Sequence, residues 1–179
     1  MLLYMKKTSV IEIMNPDSQT CLIENVLIGK SEDGAFIVYE NGNWGNYCLD
    51  LSVKLLSSDS EDCSVGICFG IDDPNNFCML KIKPIQTGNK ARMTILRKQL
   101  HKSINLSEFE LAFRLNQWQQ VQIGLDSAWI EARVSENNPV KIGIDETITG
   151  GIGFLLDGKI TAYFDDIHVR QITRRKLKR

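Results

Sequence analysis

Histidine is nearly absent: His101 and His168 are the only two in 179 residues. A Ser/His/Asp or Cys/His triad needs an imidazole as its base, so only these two positions could supply one. His101 lies in a polar stretch, residues 99–103. Ile167 and Val169 flank His168 as core-type residues and turn it outward. Neither histidine has a nucleophile beside it in sequence. The chain has no CxxC pair and no Cys/His cluster at zinc-ligand spacing. Walker and dinucleotide fingerprints are also missing, which removes the common phosphate loops. No apolar run approaches a membrane span, and the start Met1–Lys7 lacks the apolar core of a secretory signal. No useful length of chain repeats at 3.6 residues, and there is no internal repeat or low-complexity segment.

Five cysteines are present: Cys21, Cys48, Cys63, Cys68 and Cys78. An odd number leaves at least one unpaired, and buried free cysteines pack as small hydrophobes. Reduced thiols and a cytoplasmic location are the expectation. Hydrophobic content of 43% and charged content of 24% suit a soluble globular domain with a full core. The formal net charge of -1 conceals a basic tail, residues 174–179, with five positive charges. The body, residues 1–173, is therefore acidic and reads as one domain. An acidic body argues against nucleic-acid binding except through that tail.

Alternation at period two fills the chain. Tyr47, Leu49, Leu51, Val53 and Leu55 form one such run, and Val65, Ile67, Phe69 and Ile71 another. Cys78, Leu80 and Ile82 form a third. Successive side chains of a strand point to opposite faces, so each run has one apolar side. These three runs read as two hairpins folding back over one apolar face. Turn formers fill residues 71–76, IDDPNN, and Asp157-Gly158 gives a hairpin signal. Phe109 to Leu115, Val121 to Leu125, Ile130 to Val134, Val140 to Ile144, and Ile152 to Leu156 alternate in turn. Roughly a dozen short strands predict an all-β, antiparallel β-sandwich.

Four stretches together resemble the concanavalin A-like lectin/glucanase superfamily: residues 44–55, 64–82, 117–134 and 150–169. The features that carry the resemblance are Trp44 ahead of a long strand, VGICFGIDDPNNF, Trp118 ahead of a strand, Gly151/Gly153, and Phe164-Asp165-Asp166. The resemblance implies a jelly roll of two curved sheets. It also implies lectin, carbohydrate-binding, glycosidase or adhesion roles. Asp165 and Asp166 occupy a place where such domains sometimes hold a structural calcium. Where members often carry an arginine after the phenylalanine, this chain has Gly70. Glycosidases of this fold often carry Glu-x-Asp-x-x-Glu, which puts acid and nucleophile on one face. Here Glu108-Phe109-Glu110 lacks the third acid, and the pair reads as solvent-facing.

The outward faces of the central runs suggest a ligand groove. Gly66, Cys68 and Gly70 would form a low floor between taller walls. Asp50, Lys81 and Arg97 would supply hydrogen bonds. Among the aromatics, Trp129 lies on an outward face with Glu131 and Arg133, and Trp44 opens its strand. Sugar C–H faces stack on such rings. Trp118 reads instead as a plug at the end of the core. The ligand-binding set is therefore Trp44, Asp50, Cys68, Lys81, Arg97 and Trp129. The leading reading is a non-catalytic glycan-binding module that uses the concave face of the sandwich. The alternatives are a protein-interaction or oligomerisation domain of the same fold and, behind it, a glycosidase or cyclase-like enzyme with acids in the groove. They differ in what they require: a face with exposed aromatics and paired polar groups, an apolar exposed patch, or two carboxylates in one cavity.

Overall fold

A computed structural model describes residues 12–13, 19–23, 26–31, 35–56, 62–85, 89–100 and 102–172, with the side chains treated below beginning at Phe36. The basic tail, the acidic connection 57–61, the Cys21 side chain and His101 lie outside the described residues.

The described residues form fourteen strands. They are Glu12–Ile13 (β1), Gln19–Ile23 (β2), Val26–Ser31 (β3), Ala35–Trp44 (β4), Tyr47–Leu55 (β5), Ser64–Asp73 (β6) and Asn76–Ile85 (β7). Then come Lys90–Gln99 (β8), Lys102–Ala112 (β9), Gln119–Asp126 (β10), Trp129–Val134 (β11), Val140–Gly143 (β12), Gly150–Asp157 (β13) and Ile160–Gln171 (β14). They assemble into two seven-stranded antiparallel sheets. The first runs β1-β4-β13-β6-β7-β8-β9 and the second β12-β11-β10-β5-β14-β3-β2. The protein is an all-β sandwich, as the period-two pattern requires.

The core lies between the sheets. From β5 it takes Tyr47, Leu49, Leu51, Val53 and Leu55, and from β6 Val65, Ile67 and Phe69. Leu80 and Ile82 of β7 join them. Each fully buried large side chain contributes about 1.5–3 kcal/mol relative to exposure. Phe154 of β13 stacks on Phe164 of β14 with ring centroids 4.0 Å apart, which joins the two sheets through one aromatic pair.

Two expected hairpins are not hairpins. β5 belongs to the second sheet and β6 to the first, so their apolar sides face each other across the core. The turn after Asp157 likewise links β13 of the first sheet to β14 of the second. An alternating run states only that one side is apolar, and a strand satisfies that equally by pairing beside another or by packing opposite it. The turn at residues 73–76 does join a true hairpin, β6 to β7. Asp73 closes it: one carboxylate oxygen accepts from the Asn75 N–H at 2.6 Å and the other from the Asn76 side-chain amide at 2.6 Å. These bonds, the Asn76 amide foremost, hold the Asp73 carboxyl below its usual range.

Candidate functional site on the second sheet

The outer face of the second sheet carries the outward residues of β10, β5 and β14 side by side. Pairing sets Gln122 opposite Asp50 and Gln120 opposite Ser52. On the other side of β5, His168 stands opposite Asp50 and Tyr163 opposite Lys54. Strand register thus brings residues distant in sequence into one polar surface.

Asp50 is the centre of that surface. It accepts from Gln122 Nε2 at 2.6 Å, and from Arg170 Nη2 and Nε at 2.7 and 3.0 Å. Its carboxylate raises the Arg170 pKa, chiefly through this hydrogen bond. One row away, Gln120 Nε2 donates to Ser52 Oγ at 2.7 Å, and that hydroxyl donates to Asp166 Oδ2 at 3.4 Å. A shallow cavity of about 160 Å³ opens here, lined by Asp50, Gln120, Gln122, Arg133 and Ser135 among others. Each glutamine has a carbonyl oxygen and a second N–H beyond the bond it makes. Cys48 sits next to Asp50 with its thiol pushed up to about 11, by burial first and by the Asp50 charge second. The thiolate is disfavoured at neutral pH, so this cysteine is a poor nucleophile.

At one end of the face Trp118 meets Tyr163 edge to face, with centroids 6.5 Å apart. Lys54 Nζ lies over both rings, 5.0 Å from the indole and 4.6 Å from the phenol. Trp118 is 41% exposed. It is no core plug, contrary to its expected role: its ring lies against Tyr163 and Lys54 on the outer side of the sheet. At the other end Trp129 is half-buried, its ring packed over Gly124 with Lys141 Nζ 4.0 Å away.

The structure divides the six sequence-derived ligand residues among four places. Asp50 and Trp129 share the second sheet's outer face. Trp44 packs against Tyr47 at 6.0 Å and leans on the core. Cys68 and Lys81 face outward from the first sheet, where Lys81 Nζ pairs with Asp157 at 3.1 Å. Arg97 sits at the rim of the sandwich and pairs with Glu146. The Gly-Cys-Gly floor is filled. Cys68 is fully buried in a second apolar cluster with Ile71, Phe77, Met79 and Leu96, against which Phe36 and Leu155 pack. A Cβ at Gly66 would collide with the Met79 sulfur. Gly70, with φ of 58°, lies under Ile148. Asp50 and this floor stand on opposite outer surfaces, so they bound no common groove.

Asp165 and Asp166 form a bulge in β14, where pairing with β5 shifts register. Asp165 Oδ1 accepts the Asp166 N–H at 2.7 Å, and Asp166 holds φ of 50°. Calcium takes six or more oxygens. Two adjacent carboxylates and the Ser52 hydroxyl fall short of that set, and among the described residues no three His, Cys, Asp or Glu side chains gather as a metal cluster. Glu108 and Glu110 are both exposed and both pair with Arg92, at 3.8 and 3.2 Å. Among the described residues no helix is long and apolar enough to cross a membrane.

Gln120, Gln122 and Arg170 were missed by sequence reasoning. Alternation marks them as outward, but only the β10–β5–β14 neighbourhood reveals that they converge on Asp50 and Ser52.

No protein-family model matches the sequence, and no curated protein does. Solved structures do match in fold. The carbohydrate-binding module CBM66 from Bacillus subtilis superposes with a TM-score of 0.75 at 9% identity, covering 94% of this chain and 100% of that one. The exoplasmic/lumenal domain of VIP36, in a Ca²⁺/Man₃GlcNAc-bound form, gives 0.70 at 9% identity, covering 94% and 87%. A Bacillus subtilis protein of unknown function with a galectin-like fold gives 0.65 at 13% identity, covering 92% and 90%. The chain therefore shares its two-sheet sandwich fold with these structures.

Proposed function

We propose that this domain is a non-catalytic glycan-binding module and that the outer face of its second sheet holds the ligand. One observation carries the reading: exposed Trp118, braced by Tyr163, borders a row of planar polar side chains centred on Asp50 and Gln122. A sugar ring offers an apolar C–H face and a rim of hydroxyls. An indole takes the first, while amides, carboxylates and guanidinium groups take the second in pairs. The fold neighbours support the reading, since one is named a carbohydrate-binding module and another holds a mannose glycan. Calcium is not required by this face, and glycan binding is expected to persist in EDTA. The free thiols of Cys48, Cys68 and Cys78 suit a reducing, cytoplasmic setting for the module.

The test is a glycan array followed by titration of the best ligand against the Trp118→Ala variant. Binding is expected to weaken by about tenfold or more, as when a central aromatic contact is lost. No array hit, or a hit that Trp118→Ala binds unchanged, would sink the proposal. A protein-interaction reading has its own support at the β8–β9 turn and the start of β9, where Leu100 is 66% exposed and Ile104 46%. A Leu100→Ser/Ile104→Ser variant that loses a partner while keeping its glycan would favour that second role.

A further inference from the structure

A larger cavity, about 270 Å³, opens at the rim of the first sheet. The β6–β7 turn, the end of β8 and residues 147–149 enclose it. Its volume is at the small end for ligand pockets and suits a single monosaccharide-sized molecule.

Arg97 defines its chemistry. It pairs with Cys78 across the β7–β8 ladder and shares the inward side of β8 with the core residues Met93 and Ile95. A guanidinium on that side cannot enter an apolar core unpaired. Here the strand has reached the end of the sandwich, and Arg97 emerges into the cavity with only 21% of its side chain exposed. Among the described residues its ion-pair partner is Glu146, whose side chain is 57% exposed. The pair therefore joins a fixed cation to an exposed, exchangeable carboxylate. One pairing leaves other N–H donors of the five-donor fork unused.

The segment bearing Glu146 is held by one apolar residue. Ile148 is buried over Gly70, while Thr147 and Thr149 on either side are exposed. The two threonines line the cavity with Asp72. Asp72 is an acceptor for hydroxyls, and Lys98 adds a second positive charge beside Arg97. A cationic fork on one wall and hydroxyl acceptors on another define a ligand with one carboxylate and several hydroxyls.

We propose that this cavity binds a sugar acid, whose carboxylate takes the place of Glu146 on Arg97. Glu146 is then an internal stand-in for the ligand. The ligand could come as a free sugar acid or as a uronate at the end of a glycan, and both present the same carboxylate. The site lies away from the Trp118 face and does not depend on glycan binding there.

The experiment follows backbone amide shifts of Gly70, Asn76 and Ile148 during titration with D-glucuronate, D-glucose and an oligosaccharide ending in glucuronate. Glucuronate is expected to shift these amides saturably, and glucose is not. Glu146→Gln removes the internal competitor and should tighten glucuronate about two- to fivefold, the factor an exposed ion pair commands. Arg97→Lys should weaken it, and Trp118→Ala should leave it unchanged. Tighter binding of the oligosaccharide than of free glucuronate identifies the glycan as the source, and equal binding identifies the free acid. Equal response to glucose and glucuronate, or unchanged or weaker glucuronate binding in Glu146→Gln, overturns the proposal. Arg97→Gln is a second test of the arginine, and the Glu146→Gln result decides even where neither arginine variant folds.

Discussion

Cys68 shows how much one position depends on what lies above it. Its side is correctly read from alternation, since Val65, Ile67 and Phe69 fill the core and Cys68 points away. Yet it is as buried as they are, under Phe77, Met79 and Leu96. A Cys68→Trp variant, which an open groove would accept, must force an indole into this second cluster. We expect a loss of about 1–3 kcal/mol or more, read as a lowered urea midpoint. An unchanged midpoint would mean that the cluster yields easily. The cysteines also set a pH dependence. Burial pushes the Cys48 and Cys78 thiols from their ordinary value of 9.0 to about 11. Their folded pKa values are raised, so this stabilisation is fully present below pH 9 and is lost as pH rises from 9 through 11. The urea midpoint should fall over that interval, and Cys78→Ala should fall less steeply.

Strands transmit their sequence faithfully to their faces and poorly to their neighbours. The inward set of β5 is legible residue by residue because period two leaves no other choice. The identity of its neighbours is not, since β10 and β14 lie far along the chain and share no local signal with it. For that reason alternation marks Asp50, Gln122 and Arg170 each as outward but does not show that they meet. The same gap hid the difference between a hairpin and a crossing at Asp157-Gly158. The bulge at Gly70 is a sharper case. Its left-handed φ leaves the Gly70 N–H outside the strand ladder, and the buried Tyr47 hydroxyl accepts it at 2.9 Å. Tyr47→Phe removes that acceptor and strands a buried amide, at a cost of about 1–3 kcal/mol. Denaturant unfolding should show the loss, and faster hydrogen exchange at Gly70 would locate it.

The sandwich as a whole keeps two surfaces apart. Polar chemistry sits outside the second sheet, an apolar second layer sits outside the first, and one shared core joins them. Any ligand face is then only as rigid as the contact between the sheets. Phe154 and Phe164 make that contact near its middle: one comes from each sheet, both are fully buried, and their rings lie 4.0 Å apart. Tyr39 adds an edge contact to Phe154 at 6.0 Å. Phe154→Ala removes the ring from both neighbours and leaves a cavity between layers that strand pairing prevents from collapsing freely. A loss of about 3–5 kcal/mol is expected. Because the two sheets share this core, both should lose structure in one transition. Near-ultraviolet signals from Trp118 on the second sheet and exchange at the β6–β7 amides of the first should then change at the same denaturant concentration. Separate midpoints for the two sheets would show that each holds itself together, and that the Phe154–Phe164 stack does not couple them.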